Sequence, residues 1–211
     1  MELRDAVRRR RMVRSFSPEP VDDELLGRLL DDAGRAPSAG NTGGTAWLVL
    51  RGPGETAQYW AHTTTAPWRE RSTRWPGLSR APVVALSLTS PEAYVERYGE
   101  PDKAGSGLGP VGSGPGEGGE AGWPVPYWFG DSAFATMLLL LGATDAGLGA
   151  AFLGNFRGEP ELLGALGVPP EWRLFGAVLL GHPDGGDHPS PSTGRDRHAT
   201  SVHDGRWRPA S

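Results

Sequence analysis

The chain has 211 residues, of which 37% are apolar and which include eight Trp and six Phe; this is enough to bury a core and excludes wholesale disorder. With no cysteine, a disulfide scaffold, a thiolate zinc site and thiol redox chemistry are all excluded, so any electron transfer must use a borrowed cofactor. The net charge of −4 argues against a general polyanion binder, yet residues 1–14 hold six arginines against Glu2 and Asp5, leaving the rest of the chain at −8.

Residues 2–10 predict a short helix with Leu3, Ala6 and Val7 on one side and arginines at its C-terminal end, where they complement the helix dipole. Met12 to Phe16 reads as extended. Asp22 is a predicted N-cap, Val21 and Leu26 hold staple positions, and Leu25, Leu26, Leu29, Leu30 and Ala33 mark one helical face before Pro37. Thr45–Arg51 and Ala81–Thr89 are continuous apolar runs of strand length, expected to be buried on both faces. Between them, residues 52–80 carry four aromatics and no clean period.

Ser90 and Pro91 open a helix through about Tyr98. Residues 104–122 then contain nine Gly and two Pro in 19 positions, a composition that predicts a flexible excursion outside the core. Asp131 is placed as the cap of a helix through Ala146, with Gly147 as terminator; Phe134, Met137 and Leu138 to Leu141 surround it, so it is central or shared between subunits. Residues 149–153 and 173–181 predict strands, with a helix opened by Pro160 over Glu161 to Leu166, and a polar tail from about residue 183. The alternation of helices with buried strands indicates an α/β or α+β sandwich, with residues 1–211 as a single domain.

The twin arginines near the start are followed by SFSPEPVDDELL rather than by an apolar stretch, so no export signal is read. Residues 133–141, the most apolar window, are too few for a membrane span. A cytoplasmic protein with no membrane partner is expected.

Several segments carry candidate chemistry. The arginine run reads as a solvated patch, as a nucleic-acid arm (disfavoured by the acidic remainder), or as a phosphate site in which guanidiniums bind a dianion by charge-assisted hydrogen bonds. The loop PSAGNTGG (37–44) is either a turn or a platform presenting Ser38, Asn41 and free backbone amides to a phosphate or a heteroaromatic ring. GLGAAFLG (147–154) has neither the spacing nor the strand-to-helix order of a dinucleotide fingerprint. His62, His182, His188, His198 and His203 lack ligand spacing, so no metal site is expected. No nucleophile elbow is present either. WPVPYWF (123–129) is core packing or a ring-stacking wall for a planar substrate, the latter nominating Trp123, Tyr127 and Trp128.

Taken in order, RRMVRSF (10–16) with Pro20 and Val21, APSAGNT (36–42), the apolar helix ending DAGLG (145–149) with AFLG after it, and an Arg-containing tail resemble the FMN-dependent nitroreductase family. That resemblance implies an α+β sandwich, a central mixed sheet flanked by helices, in an intertwined homodimer with two FMN molecules at the subunit interface. It implies that Arg10, Arg11 and Arg14 hold the FMN phosphate, ribityl chain and pyrimidine edge, with Met12 adding backbone contacts. Pro37, Ser38, Ala39 and Asn41 would come from the other subunit, Leu153 and Gly154 would offer amides to flavin N5 and O4, and Arg195 would reach the phosphate, with Arg197 the alternative. The chain departs from many relatives in having Gly43 and Gly44 after the Asn-Thr pair.

The activity implied is hydride transfer from NAD(P)H through FMN to a small acceptor such as a nitroaromatic or quinone, with no dedicated acid or base. The rivals are an FMN-dependent dehydrogenase of a biosynthetic intermediate that uses oxygen, and a noncatalytic flavin- or anion-binding protein. No nucleic-acid partner is expected.

Overall fold

A computed structural model describes residues 1–71, 75–112, 117–188 and 203–207. Four strands, β1 (Thr45–Arg51), β2 (Val83–Thr89), β3 (Gly149–Leu153) and β4 (Arg173–Gly181), form a sheet in the order β1-β2-β4-β3. All three strand pairs are antiparallel, which corrects the mixed sheet implied by the resemblance. The parallel component is a single bridge between Met12 and Ala150; the extended segment leaves β3 at once, and Phe16 bridges Pro183 instead.

Among the described residues there are seven α-helices: α1 (Leu3–Arg9), α2 (Asp23–Ala33), α3 (Gly52–Thr63), α4 (Ala66–Arg71), α5 (Pro91–Tyr98), α6 (Tyr127–Asp145) and α7 (Glu159–Ala165). They sandwich the sheet. Along β2 the side chains alternate: Val83 and Ala85 pack with Leu26 and Leu29 of α2 and Leu139, Leu140 and Ala143 of α6. Val84, Leu86 and Leu88 face the other way, with Tyr59 and Trp60 of α3 and Leu162 and Leu163 of α7. Burial on both faces needs a largely apolar strand, and β2, buried throughout, has only Ser87 and Thr89 as polar residues. β1 is not: as an edge strand it is mostly half-buried, correcting the expectation of burial on both faces.

Capping sets the helix starts. Asp22 Oδ1 accepts from Leu25 N at 2.8 Å and Ser90 Oγ from Ala93 N at 3.3 Å, two of the three caps that the sequence predicts. The region 52–80, without a legible period, supplies α3 and α4; α3 opens on Gly52-Pro53, and Glu55 Oε2 accepts from Arg51 N at 2.7 Å. No helix among the described residues is long and apolar enough to cross a membrane.

The helix α6 begins at Tyr127, so Asp131 is not its cap but lies inside it, buried. Every third or fourth residue from Trp128 to Ala143 is buried, whereas Phe134, Met137 and Leu138 on the opposite side are exposed, as are Leu3 and Val7 of α1. The described flanks of the glycine-rich stretch are bonded into the fold. Gly112 N donates to Glu117 O at 3.0 Å, Gly119 N to Gly109 O at 2.8 Å, and Trp123 Nε1 to Leu108 O at 3.0 Å. Arg173 of β4 pairs with Glu120 at 2.8 Å.

Candidate functional site

The arginine-rich segment runs from the end of α1 past the free edge of β3. Val13 N donates to Ala150 O at 2.9 Å, which fixes the segment's register and gives its three arginines different surroundings. Arg10 is half-buried, and its Nη1 is buried without a hydrogen-bond partner. The Arg11 side chain is 65% exposed and lies 3.9 Å from Asp187. Arg14 Nη1 donates to Met12 O at 3.2 Å, its guanidinium sits 4.9 Å over the Trp75 ring, and its backbone N donates to Asp187 Oδ1 at 3.2 Å. Met12 also lies against β3, where its Sδ accepts from Phe152 N at 3.3 Å.

The segment is held from behind by a second cluster. Ser15 Oγ donates to Asp184 Oδ2 at 2.9 Å, Arg80 pairs with the same carboxylate, and Arg80 Nε donates to Phe16 O at 3.1 Å. The Gly186 amide, then Ser15 and Arg80, hold the Asp184 carboxyl below the usual carboxylate range.

At the end of β3, Leu153 is paired with Ala177 of β4. Backbone direction alternates along a strand, so with the N–H of Phe152 and the carbonyl of Ala150 turned outward, the Leu153 amide faces β4. Gly154, the other residue predicted to offer an amide to a flavin, follows the end of the strand and is exposed.

Four amides of the loop 37–44 are already bonded within the fold. Ala39 N donates to Asp131 Oδ2 at 2.8 Å, Asn41 N to Ser38 O at 2.9 Å, Thr42 N to Ala39 O at 3.3 Å, and Gly43 N to Ser38 Oγ at 3.1 Å. Glycine at 40 and 43 and Asn41 take positive φ, which lets the chain turn its amides inward. Pro37 and Asn41 remain exposed.

Within one chain the loop and the arginines are far apart. The loop leads into Thr45, which pairs with Thr89 and through it with Arg173, whereas Met12 bridges Ala150, which pairs with Leu180. Seven residues of β4 separate those points, about 23 Å of strand.

Trp123 and Trp128 are buried with Tyr94 in an aromatic cluster, against which Tyr98 and Phe129 pack. Packing occupies both rings, so neither forms a stacking wall on this chain's surface. Tyr127 is 46% exposed. Arg195 lies outside the described residues. Two concavities lie elsewhere: one of about 420 Å³ between Trp60, Arg69 and Ser79, and one of about 490 Å³ beside Leu163 and Trp172. Among the described residues, no group of three His, Cys, Asp or Glu is arranged to hold a metal.

Sequence reasoning missed Asp131. It reads locally as a cap, and its partners Ala39 and Tyr94 are remote in sequence, so only the tertiary fold reveals it.

Sequence and fold are each similar to known proteins. The model described as the nitroreductase family matches residues 7–104, the stretch that holds the arginine strand and the PSAGNT loop. A nitroreductase-family protein of Clostridium novyi NT is 20% identical, with 93% of this chain and 89% of that one covered at a TM-score of 0.64. A Desulfovibrio desulfuricans protein described as a nitroreductase, in complex with FMN, is 24% identical over 90% and 91% at 0.65. Nitroreductase CinD from Lactococcus lactis, in complex with nicotinic acid, is 17% identical over 94% and 100% at 0.67. No curated protein matches the chain. The resemblance to the nitroreductase family is thus borne out, in sequence over residues 7–104 and in fold across nearly the whole chain.

Proposed function

We propose that the protein is an FMN-dependent oxidoreductase, working as a homodimer, that takes hydride from NAD(P)H and reduces a small acceptor such as a nitroaromatic or quinone. The observation that carries this reading is Arg10. A buried charged donor without a partner costs stability, and a bound phosphate oxygen is the kind of group that would satisfy it. The segment around it belongs to the matched stretch, and one structural neighbour is an FMN complex.

In this reading Arg10 and Arg11 hold the phosphate and ribityl chain, and Arg195 reaches the same phosphate from the tail. Arg14, steadied by Met12 O and the Trp75 face, sets a cation at the pyrimidine edge. Gly154 offers its amide to the ring. When bound, FMN supplies the two-electron chemistry, and the protein supplies orientation and charge. Pro37, Ser38 and Asn41 would come from the loop of a second copy, as the separation of loop and arginines within one chain requires. Tyr127, partly exposed, would meet a planar acceptor.

The apolar face of Phe134, Met137 and Leu138, continued by Leu3 and Val7, supports the second copy; a surface this apolar on one helix is covered in a stable protein. The test is to saturate the purified protein with FMN, remove free flavin by gel filtration, and follow NADH and NADPH consumption with and without a nitroaromatic. About one flavin per chain and acceptor-stimulated consumption are expected; a colourless protein that takes up no FMN would sink the reading.

A further inference from the structure

Asp131 occupies an interior position of α6, almost without exposure, between the loop 37–44 and α5. Its Oδ2 accepts two hydrogen bonds of 2.8 Å, one from the Ala39 amide and one from the Tyr94 hydroxyl. Both donors are neutral. A buried carboxylate is costly to desolvate, and an apolar residue of similar volume at such a position is often neutral or stabilising. Asp131 stands beside the packed rings of Tyr94 and Trp128, where a leucine would fit the surroundings. A leucine would leave the Ala39 amide and the Tyr94 hydroxyl without their acceptor, but an uncharged amide oxygen would serve both at lower desolvation cost, so stability alone gives no reason for a charge there.

The bonds it makes lead to the loop. Arg97 Nε of α5 donates to Gly40 O at 2.9 Å, and Thr89 Oγ1 at the end of β2 donates to Gly44 O at 3.1 Å. With Ala39 N on Asp131, the inner side of the loop is fixed at three successive points by three elements. The side chains of Ser38 and Asn41 are carried on that fixed backbone.

We infer that Asp131 is a positioning residue for cofactor binding: its carboxylate, oriented by the Tyr94 hydroxyl, fixes the Ala39 amide and so sets Ser38 and Asn41 in the register in which the loop meets FMN held by a second copy. This rests on the proposed FMN reading. Burial and the adjoining carboxylate raise the Tyr94 phenol well above its ordinary value, so it remains a proton donor to Asp131.

The test uses the full-length protein and three variants: Asp131→Asn, Tyr94→Phe, and the double change Asp131→Leu with Tyr94→Phe. Three quantities are read: FMN dissociation constant by flavin fluorescence, visible spectrum of the bound flavin, and thermal midpoint of the apoprotein. Asp131→Asn can turn its one carbonyl oxygen to both donors but removes the charge that strengthens the two bonds, and is expected to weaken FMN binding about tenfold and shift the flavin spectrum. Tyr94→Phe, which leaves the Ala39 bond, is expected to weaken it about threefold. The double variant removes the buried charge and the hydroxyl together; relief of the buried charge offsets the acceptor lost to the Ala39 amide, so its apoprotein is expected to melt near the wild type while binding FMN at least as poorly as Asp131→Asn. A merely structural role would restore binding along with stability.

If wild type binds FMN and the folded variants bind it equally well, the inference is overturned and the functional reading stands. If wild type takes up no FMN, both fall. Should Asp131→Asn fail to fold, the double variant and Tyr94→Phe decide, and wild-type affinity in both overturns the inference.

Discussion

Tyr98 lies against Gly40 so closely that a Cβ at position 40 would fall 2.6 Å from the ring's Cε2. The ring cannot simply step aside, because on its other side it packs edge-on against Trp123 with centroids 4.6 Å apart. The glycine is also at φ +65°, where an L side chain is strained. Gly40→Ala is therefore expected to cost about 1–3 kcal/mol of stability and to displace the loop. Urea unfolding of the apoprotein measures the first effect and FMN titration the second. Unchanged values for both would show that the loop gives way freely.

The strands 45–51, 149–153 and 173–181 are legible in the sequence because each is an apolar run of strand length closed by turn residues. The caps Asp22 and Ser90 are legible because capping is a local hydrogen bond. Where residues serve tertiary partners, local reading fails. Asp131 resembles a cap but lies in the second turn of α6, which actually starts after Pro126, and its carboxylate is used by Ala39 and Tyr94. The α3 helix is hidden by its Gly-Pro-Gly start and by aromatic residues chosen for packing rather than for periodicity. The loop at 37–44 is legible as a turn, but the direction of its amides depends on Asp131 and Ser38 and is not.

Tyr59 gives a pH dependence. Burial pushes its phenol up to about 12 from an ordinary value of 10.0, with a smaller opposing effect of Thr63, and the hydroxyl donates to Asn155 Oδ1 at 3.0 Å. The folded state keeps this proton when the unfolded state has lost it. The contribution is thus complete below pH 10 and lost as the pH rises from 10 toward 12, by about 1.4 kcal/mol per pH unit for one proton. Tyr59→Phe should flatten the alkaline fall in unfolding free energy by that slope and cost about 1 kcal/mol at neutral pH, where Asn155 Oδ1 loses its donor. Denaturant titrations at a series of alkaline pH values check both; an identical slope in the variant would remove Tyr59 from the account.

The exposed side of α6 and its buried side should respond differently to a charge. Leu139 has no exposure and packs with Leu26 and Val83, so Leu139→Glu is expected to prevent folding. Leu138, one residue earlier, is 38% exposed, and Phe134 is 55% exposed. Covering such side chains stabilises association by about 1.5–3 kcal/mol each. Leu138→Glu and Phe134→Glu are therefore expected to leave circular dichroism unchanged while raising the dimer dissociation constant by about tenfold to a hundredfold. Sedimentation velocity over a concentration series reads this directly. A wild-type protein that is monomeric at every concentration while loaded with FMN would refute the shared site.

Arg10 and Arg11 are neighbours in sequence with opposite surroundings, and that contrast allows a separable test of the phosphate site. The buried, unpartnered Nη1 of Arg10 costs the apoprotein stability, whereas the Arg11 side chain is 65% exposed and interacts with water and, at 3.9 Å, with Asp187. Arg10→Met keeps an unbranched stem in place and removes the buried charge, so the apoprotein should be as stable as wild type or more so. Bound phosphate would lose a charge-assisted partner, worth about 1.5–3 kcal/mol, or about a tenfold to hundredfold rise in the FMN dissociation constant. Arg11→Met should weaken binding less, because its charge is screened by solvent, and more so at low salt than at high salt. The sign of the thermal response separates the two states: in Arg10→Met the apoprotein midpoint holds or rises while the stabilisation conferred by added FMN shrinks, as mass action requires. Differential scanning calorimetry with and without FMN measures both quantities in one experiment. An Arg10→Met protein with undiminished FMN stabilisation would move the phosphate to another part of the chain.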